Sequence, residues 1–141
     1  MRLLVDTNVF LEHILQREKK QEAYDFFYLA AIRRNQTVVT SMSLRDIGYA
    51  IHKRFHDENK TRQMQIEIYG LVSKVISTSA DAAIDSLYSD NNDYEDAMQA
   101  IAAEEAMCDA IITFDKKGFK QAKLPVFTPG EICEIWSKSN K

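Results

Sequence analysis

Apolar residues fall along this chain in two kinds of run. Short unbroken runs, Leu3-Leu4-Val5, Val38-Val39, Val75-Ile76 and Ile111-Ile112, alternate with longer stretches of three- and four-residue spacing, such as Ala23, Phe26, Phe27, Ala30 and Ala31. The first kind fits strands buried on both faces, the second amphipathic helices. The pattern predicts strands over 2–5, 37–40, 74–77, 110–113 and 126–127. It predicts helices over 8–16, 20–34, 44–54, 60–73, 80–88, 94–108 and from about 130 to 138. Strands separated by helices imply right-handed crossovers and a parallel sheet. The expected fold is α/β: a three-layer α/β/α sandwich with a central parallel sheet of four or five short strands.

Polar residues interrupt this pattern in a consistent way. Asp6 follows the first strand directly, and Asp115 closes Ile111-Ile112-Thr113-Phe114-Asp115. A buried carboxylate costs several kcal/mol unless it is paired or bound to a cation. Ligand sites in parallel sheets form at the carboxyl ends of the strands, where both residues are expected. Two further acids fall at predicted helix starts, Asp46 in Ser43-Leu44-Arg45-Asp46 and Asp96 in Asp93-Tyr94-Glu95-Asp96. Singly, each reads as a helix cap, since the S/D-x-x-D spacing approaches a capping box. Together, four carboxylates at one sheet edge would repel one another strongly. One or two hard divalent cations, Mg²⁺ or Mn²⁺, are the natural resolution, and such a site suits phosphodiester hydrolysis.

Composition narrows the field. The 141 residues suit one domain spanning 1–141, and four glycines and two prolines argue against long flexible linkers. No apolar stretch approaches a membrane span, and the opening residues read as a strand rather than as a signal peptide. Cys108 and Cys133 lack metal-ligand spacing, as do His13, His52 and His56. The cysteines read as reduced thiols of a cytoplasmic protein. The net charge of −3 disfavours a passive nucleic-acid binder but not an enzyme whose acidic cleft meets phosphates through metal ions.

Four stretches, in this order, carry a family resemblance: Leu3-Leu4-Val5-Asp6-Thr7-Asn8, Ser43-Leu44-Arg45-Asp46-Ile47, Asp93-Tyr94-Glu95-Asp96-Ala97-Met98-Gln99, and Thr113-Phe114-Asp115-Lys116-Lys117-Gly118-Phe119. Over nearly its whole length the chain resembles the PIN-domain nucleases, the fold of VapC-like toxin ribonucleases. The resemblance implies that Asp6, Asp46, Asp96 and Asp115 hold Mg²⁺ or Mn²⁺ and hydrolyse single-stranded RNA. Thr113 would be the accompanying hydroxyl residue. Many members carry glutamate at the position of Asp46; aspartate reaches roughly 1.5 Å less, so Asp46 would act directly or through water. Asp93 reads as a cap or as a residue orienting the ligands, and Asn8 as a helix cap steadying the Asp6 turn. Lys116, Lys117, Lys120, Lys123 and Arg45 are either solvated residues or RNA-backbone contacts. Tyr49, Tyr94 and Phe114 are either packing residues or stacking surfaces. An antitoxin partner and homodimer pairing are further implications.

Three rival readings fare differently. A dehalogenase-type phosphatase needs a second Asp two residues after the first, where this chain has Asn8. A phosphoacceptor receiver needs an acidic pair and a late lysine that cannot be assembled here. A non-catalytic PIN-fold module binding RNA or protein stays open.

Overall fold

In the computed structural model, which describes residues 1–91 and 93–139, each short apolar run is a strand. The elements follow in the order β1 (Arg2–Val5), α1 (Thr7–Ile14), α2 (Lys20–Ile32), β2 (Gln36–Thr40), α3 (Ser41–Phe55), α4 (Glu58–Leu71), β3 (Lys74–Ile76), α5 (Ala80–Leu87), α6 (Tyr94–Glu105), β4 (Ala110–Ile112), a 3-10 helix (Lys116–Phe119), β5 (Val126–Phe127) and α7 (Pro129–Ser139). The strands form one parallel sheet of five in the order β3-β2-β1-β4-β5.

Alternation along β1 builds the three layers. Leu3 and Val5 pack with Val39, Ala110 and Ile112 against Val9, Phe10, Phe26, Ile47, Ile51, Ile132 and Trp136 of the helices on one face. Leu4 points the other way, with Val38 and Ile111, against Ala100, Ala102 and Ala103 of α6 and Phe119. The small alanine face lets α6 sit close to the sheet. Fully burying a Leu, Ile or Phe contributes about 1.5–3 kcal/mol, and most of the two clusters is fully buried.

β1 is the centre of the strand order. The chain leaves it toward β2 and β3, then crosses back to β4 and β5. The carboxyl ends of β1 and β4 therefore border the point where the order reverses, where crevices open in such sheets.

Three expectations need correction. The helix predicted from residue 44 begins at Ser41, directly after β2, and Thr40 caps it by accepting from the Ser43 N–H at 3.0 Å. Asp46 therefore lies in the second turn of α3, not the first. Asn8 is not a cap either: Asp6 caps α1, and Asn8 lies inside it. The 3-10 helix after Asp115 was not expected; its four residues lack any apolar period long enough to read.

Candidate active site

Asp6 answers in two ways to its place at the end of a strand. Its N–H still bonds to the Ile112 carbonyl at 2.9 Å, so it is held in the sheet. Its side chain turns the corner into α1: Oδ1 accepts from the Thr7 N–H at 2.7 Å. Oδ1 also accepts from Gln99 Nε2 at 2.6 Å, and Oδ2 accepts from the Thr113 hydroxyl at 2.8 Å. The residue is only 7% exposed. Burial raises its pKa, the three hydrogen bonds oppose the rise, and the charge of Asp115 adds to it.

Thr113 is the hub beneath the acids. It is fully buried, and besides donating to Asp6 its oxygen accepts from Asn8 Nδ2 at 3.2 Å and from the Asp115 N–H at 3.0 Å. Asn8 Oδ1 accepts from the Phe114 N–H at 3.2 Å. Asn8 thus ties α1 to the chain leaving β4, a role that replaces the expected cap. Asp115 caps the 3-10 helix, accepting from the Lys117 N–H at 3.2 Å.

Asp96 approaches from α6. Asp93 caps that helix as expected, its Oδ1 accepting from the N–H groups of Glu95 at 3.0 Å and Asp96 at 3.2 Å. The Asp96 carboxyl is pushed up to about 7, first by burial, then by the negative charges of Asp6, Asp93, Asp115 and Glu95. It lies over Gly118 so closely that a Cβ there would collide with its Oδ2.

These residues border a cleft of about 530 Å³ whose lining includes Asp6, Asp46, Asp93, Asp96 and Asp115. Asp46 enters from the other side of the sheet, on α3, and pairs with Arg45 at 3.3 Å in a solvent-exposed contact. Thr7 and Ser43 hydroxyls are hydrogen-bonded, which fixes the start of α3 against α1. Arg45, Tyr49 and Tyr94 also line the cleft.

Other expected contacts are not brought there. Lys116 is paired with Glu131 of α7 at 3.0 Å, and neither it nor Lys117, Lys120 or Lys123 is among the lining residues. Phe114 packs on the core under the Lys19 ammonium and also stands outside the cleft. Gln99 and Gly118 were missed. Gln99 lies three residues after Asp96, on the same helix face, and that spacing was the available signal.

The donor set fits a hard divalent cation: oxygen ligands alone, with three carboxylates whose charges act on one another. Among the described residues no three His, Cys, Asp or Glu side chains already stand together as a group that could hold an ion. No helix among the described residues is long and apolar enough to cross a membrane.

Comparison with known proteins places the chain. A family model described as PIN domain matches residues 2–117. The chain is similar in fold to VapBC2 from Rickettsia felis bound to a DNA fragment from its promoter, with TM-score 0.66, 18% identity and coverage of 89% of this chain and 97% of that one. A toxin–antitoxin complex from Klebsiella pneumoniae gives TM-score 0.63 and 23% identity over 90% of this chain and 97% of that one. VapC20 from Mycobacterium tuberculosis, described as a sarcin–ricin loop cleaving toxin, gives 0.65 and 13% over 82% and 92%. The comparison with curated proteins finds no match.

Proposed function

The chain belongs to the PIN-domain family, and from that membership we propose that residues 1–141 form one metal-dependent endoribonuclease domain, the toxin of a toxin–antitoxin pair. The observation that carries the reading is the convergence of Asp6, Asp46, Asp96 and Asp115 on one cleft. The Asp96 carboxyl is pushed up to about 7 there by burial and by the charges of Asp6, Asp93, Asp115 and Glu95. That arrangement costs stability, and a bound cation offsets the cost.

Asp6, Asp96 and Asp115 would hold Mg²⁺ or Mn²⁺, with Asp46 direct or through water. When bound, the metal supplies Lewis acidity toward the phosphate and lowers the pKa of water at the site. The chain's own residues do the rest. Thr113, with Asn8, fixes the Asp6 carboxylate from below. Asp93 fixes the start of α6 and so the position of Asp96. Arg45 offers the lining's cation to a phosphate, and Tyr49 and Tyr94 offer ring faces to unpaired bases, which favours single-stranded RNA. The nuclease has no need of a side-chain nucleophile.

Similar structures are toxin–antitoxin complexes, which supports an antitoxin segment as the partner that covers the cleft. A homodimer is part of the same reading. One observation favours the alternative of a non-catalytic module binding RNA or protein: no three ligand side chains are already gathered among the described residues.

The test is cleavage of a mixed RNA pool by the purified protein with Mn²⁺, with Mg²⁺ and with EDTA. Cutting that needs metal and disappears in Asp6→Asn is the expected result. A folded protein that binds RNA equally well in EDTA and in Asp6→Asn, and cuts nothing, would establish the binding module instead.

A further inference from the structure

Gln99 spends its amide in an unusual way. Nε2 donates to Asp6 Oδ1 at 2.6 Å, while Oε1 is shut away from solvent with no hydrogen-bond partner among the described residues. An unpartnered buried carbonyl is destabilising, and an apolar side chain of similar length would avoid the cost. The amide cannot be reversed to relieve it, because Oε1 would then face a carboxylate oxygen. The bond to Asp6 is thus what the side chain gains from its position.

That bond has a consequence for Asp6. Oδ1 accepts from both Thr7 N and Gln99 Nε2, which fills its two lone pairs. Among the described residues Oδ2 accepts only from Thr113 and keeps capacity for one more partner. We propose that Gln99 is a positioning residue for the nuclease centre, a role that rests on the nuclease reading above: it saturates Oδ1 and locks the carboxylate plane, so that Oδ2 is the oxygen Asp6 offers to a cation. Its helical spacing from Asp96 couples the two acids, since one face of α6 carries one ligand and orients another. Thr7 acts on the same oxygen from the backbone, so Gln99 is the side chain through which α6 sets Asp6.

Gln99→Leu removes the donor and the orphaned oxygen together. Its melting temperature in EDTA should equal or exceed that of the wild type. Its Mn²⁺ affinity, by calorimetry, should fall about 10–100-fold, as expected when a group that orients a metal ligand is lost. In cleavage, kcat should fall by a similar factor with KM for RNA unchanged. Mn²⁺ affinity and kcat within twofold of wild type would overturn the proposal. So would a fall in melting temperature that accounts for the lost activity, since Gln99 would then be ordinary packing. One readout needs no metal: in the metal-free wild type, one Gln99 side-chain amide proton should resonate downfield and exchange slowly. Its absence would overturn the clamp. A wild type that shows this signature yet binds no Mn²⁺ and cuts no RNA would sink the nuclease reading while supporting the clamp on Asp6.

Discussion

The two walls of the acidic cleft are built on different principles. The wall formed by the ends of β1 and β4, by α6 and by the 3-10 helix is rigidly specified. Asp6, Thr113, Asn8, Asp115 and Gln99 are joined by hydrogen bonds of 2.6–3.2 Å, most of them crossing 93 to 107 residues of sequence, and Asp93 closes the start of α6. The α3 wall is open. Among the described residues Asp46 is held only by its exposed neighbour Arg45, and Tyr49 is 71% exposed. An exposed ion pair of that kind contributes at most about 1 kcal/mol. The difference separates two tasks. On the proposed nuclease reading, the first wall would fix carboxylates before a ligand arrives, at a cost in electrostatic repulsion. The second would keep side chains free to meet a substrate of variable shape.

If that contrast holds, substitutions on the two walls should fail differently. The largest effect is expected from Asp6→Asn, which keeps a competent helix cap but removes the buried charge. Cleavage should fall to background while the melting temperature in EDTA at pH 7 stays level or rises. A marked loss of stability would mean that the charge itself holds the fold. Gly118→Ala comes next. Gly118 has no left-handed backbone need, so the added Cβ acts through Asp96, which must swing away. Activity and Mn²⁺ affinity should drop about tenfold with little change in melting temperature, the size seen when a ligand is disoriented. On the open wall, Tyr49→Ala should leave Mn²⁺ binding intact and raise KM for RNA about fivefold or more, since stacking is worth roughly 1–3 kcal/mol per base. A kcat effect without a KM effect would place Tyr49 with the fixed wall instead.

The smallest effect is on the pH dependence of stability. The Asp96 carboxyl sits at about 7 in the fold against an ordinary 3.8. Between those values the folded chain holds a proton that the unfolded chain has released. The contribution of Asp96 is therefore most favourable below about pH 4 and declines as pH rises to about 7. Metal-free melts should show a downward slope across that window that is flattened in Asp96→Asn. A parallel slope in both proteins would remove Asp96 as its source.

The same division decides what the sequence could reveal. Features of the fixed wall that lie in local runs were legible: the apolar strands followed by Asp6 and Asp115, the alanine-rich α6, and the Asp93 cap. Features that depend on docking were not. The Ser43–Asp46 spacing looks like a capping box, but β2 runs into α3 without a loop, so Thr40 takes the cap and Asp46 moves one turn along. Lys116 reads as a free cation until α7 brings Glu131 against it. In sequence Asn8 reads as a helix cap and Gln99 as an ordinary helix residue, and only the meeting of α1, β4 and α6 gives their amides these partners.

The nuclease reading stands on Asp6, Asp96 and Asp115 forming a cation site. Calorimetric titration of Mn²⁺ into the metal-free protein at pH 6, in two buffers of different ionisation enthalpy, tests it most directly. Binding should release about one proton, because Asp96 must ionise to become a ligand, and both the binding and the release should be lost in Asp6→Asn. A folded wild type that takes up no Mn²⁺, or takes it up without proton release and equally well in Asp6→Asn, would contradict the account.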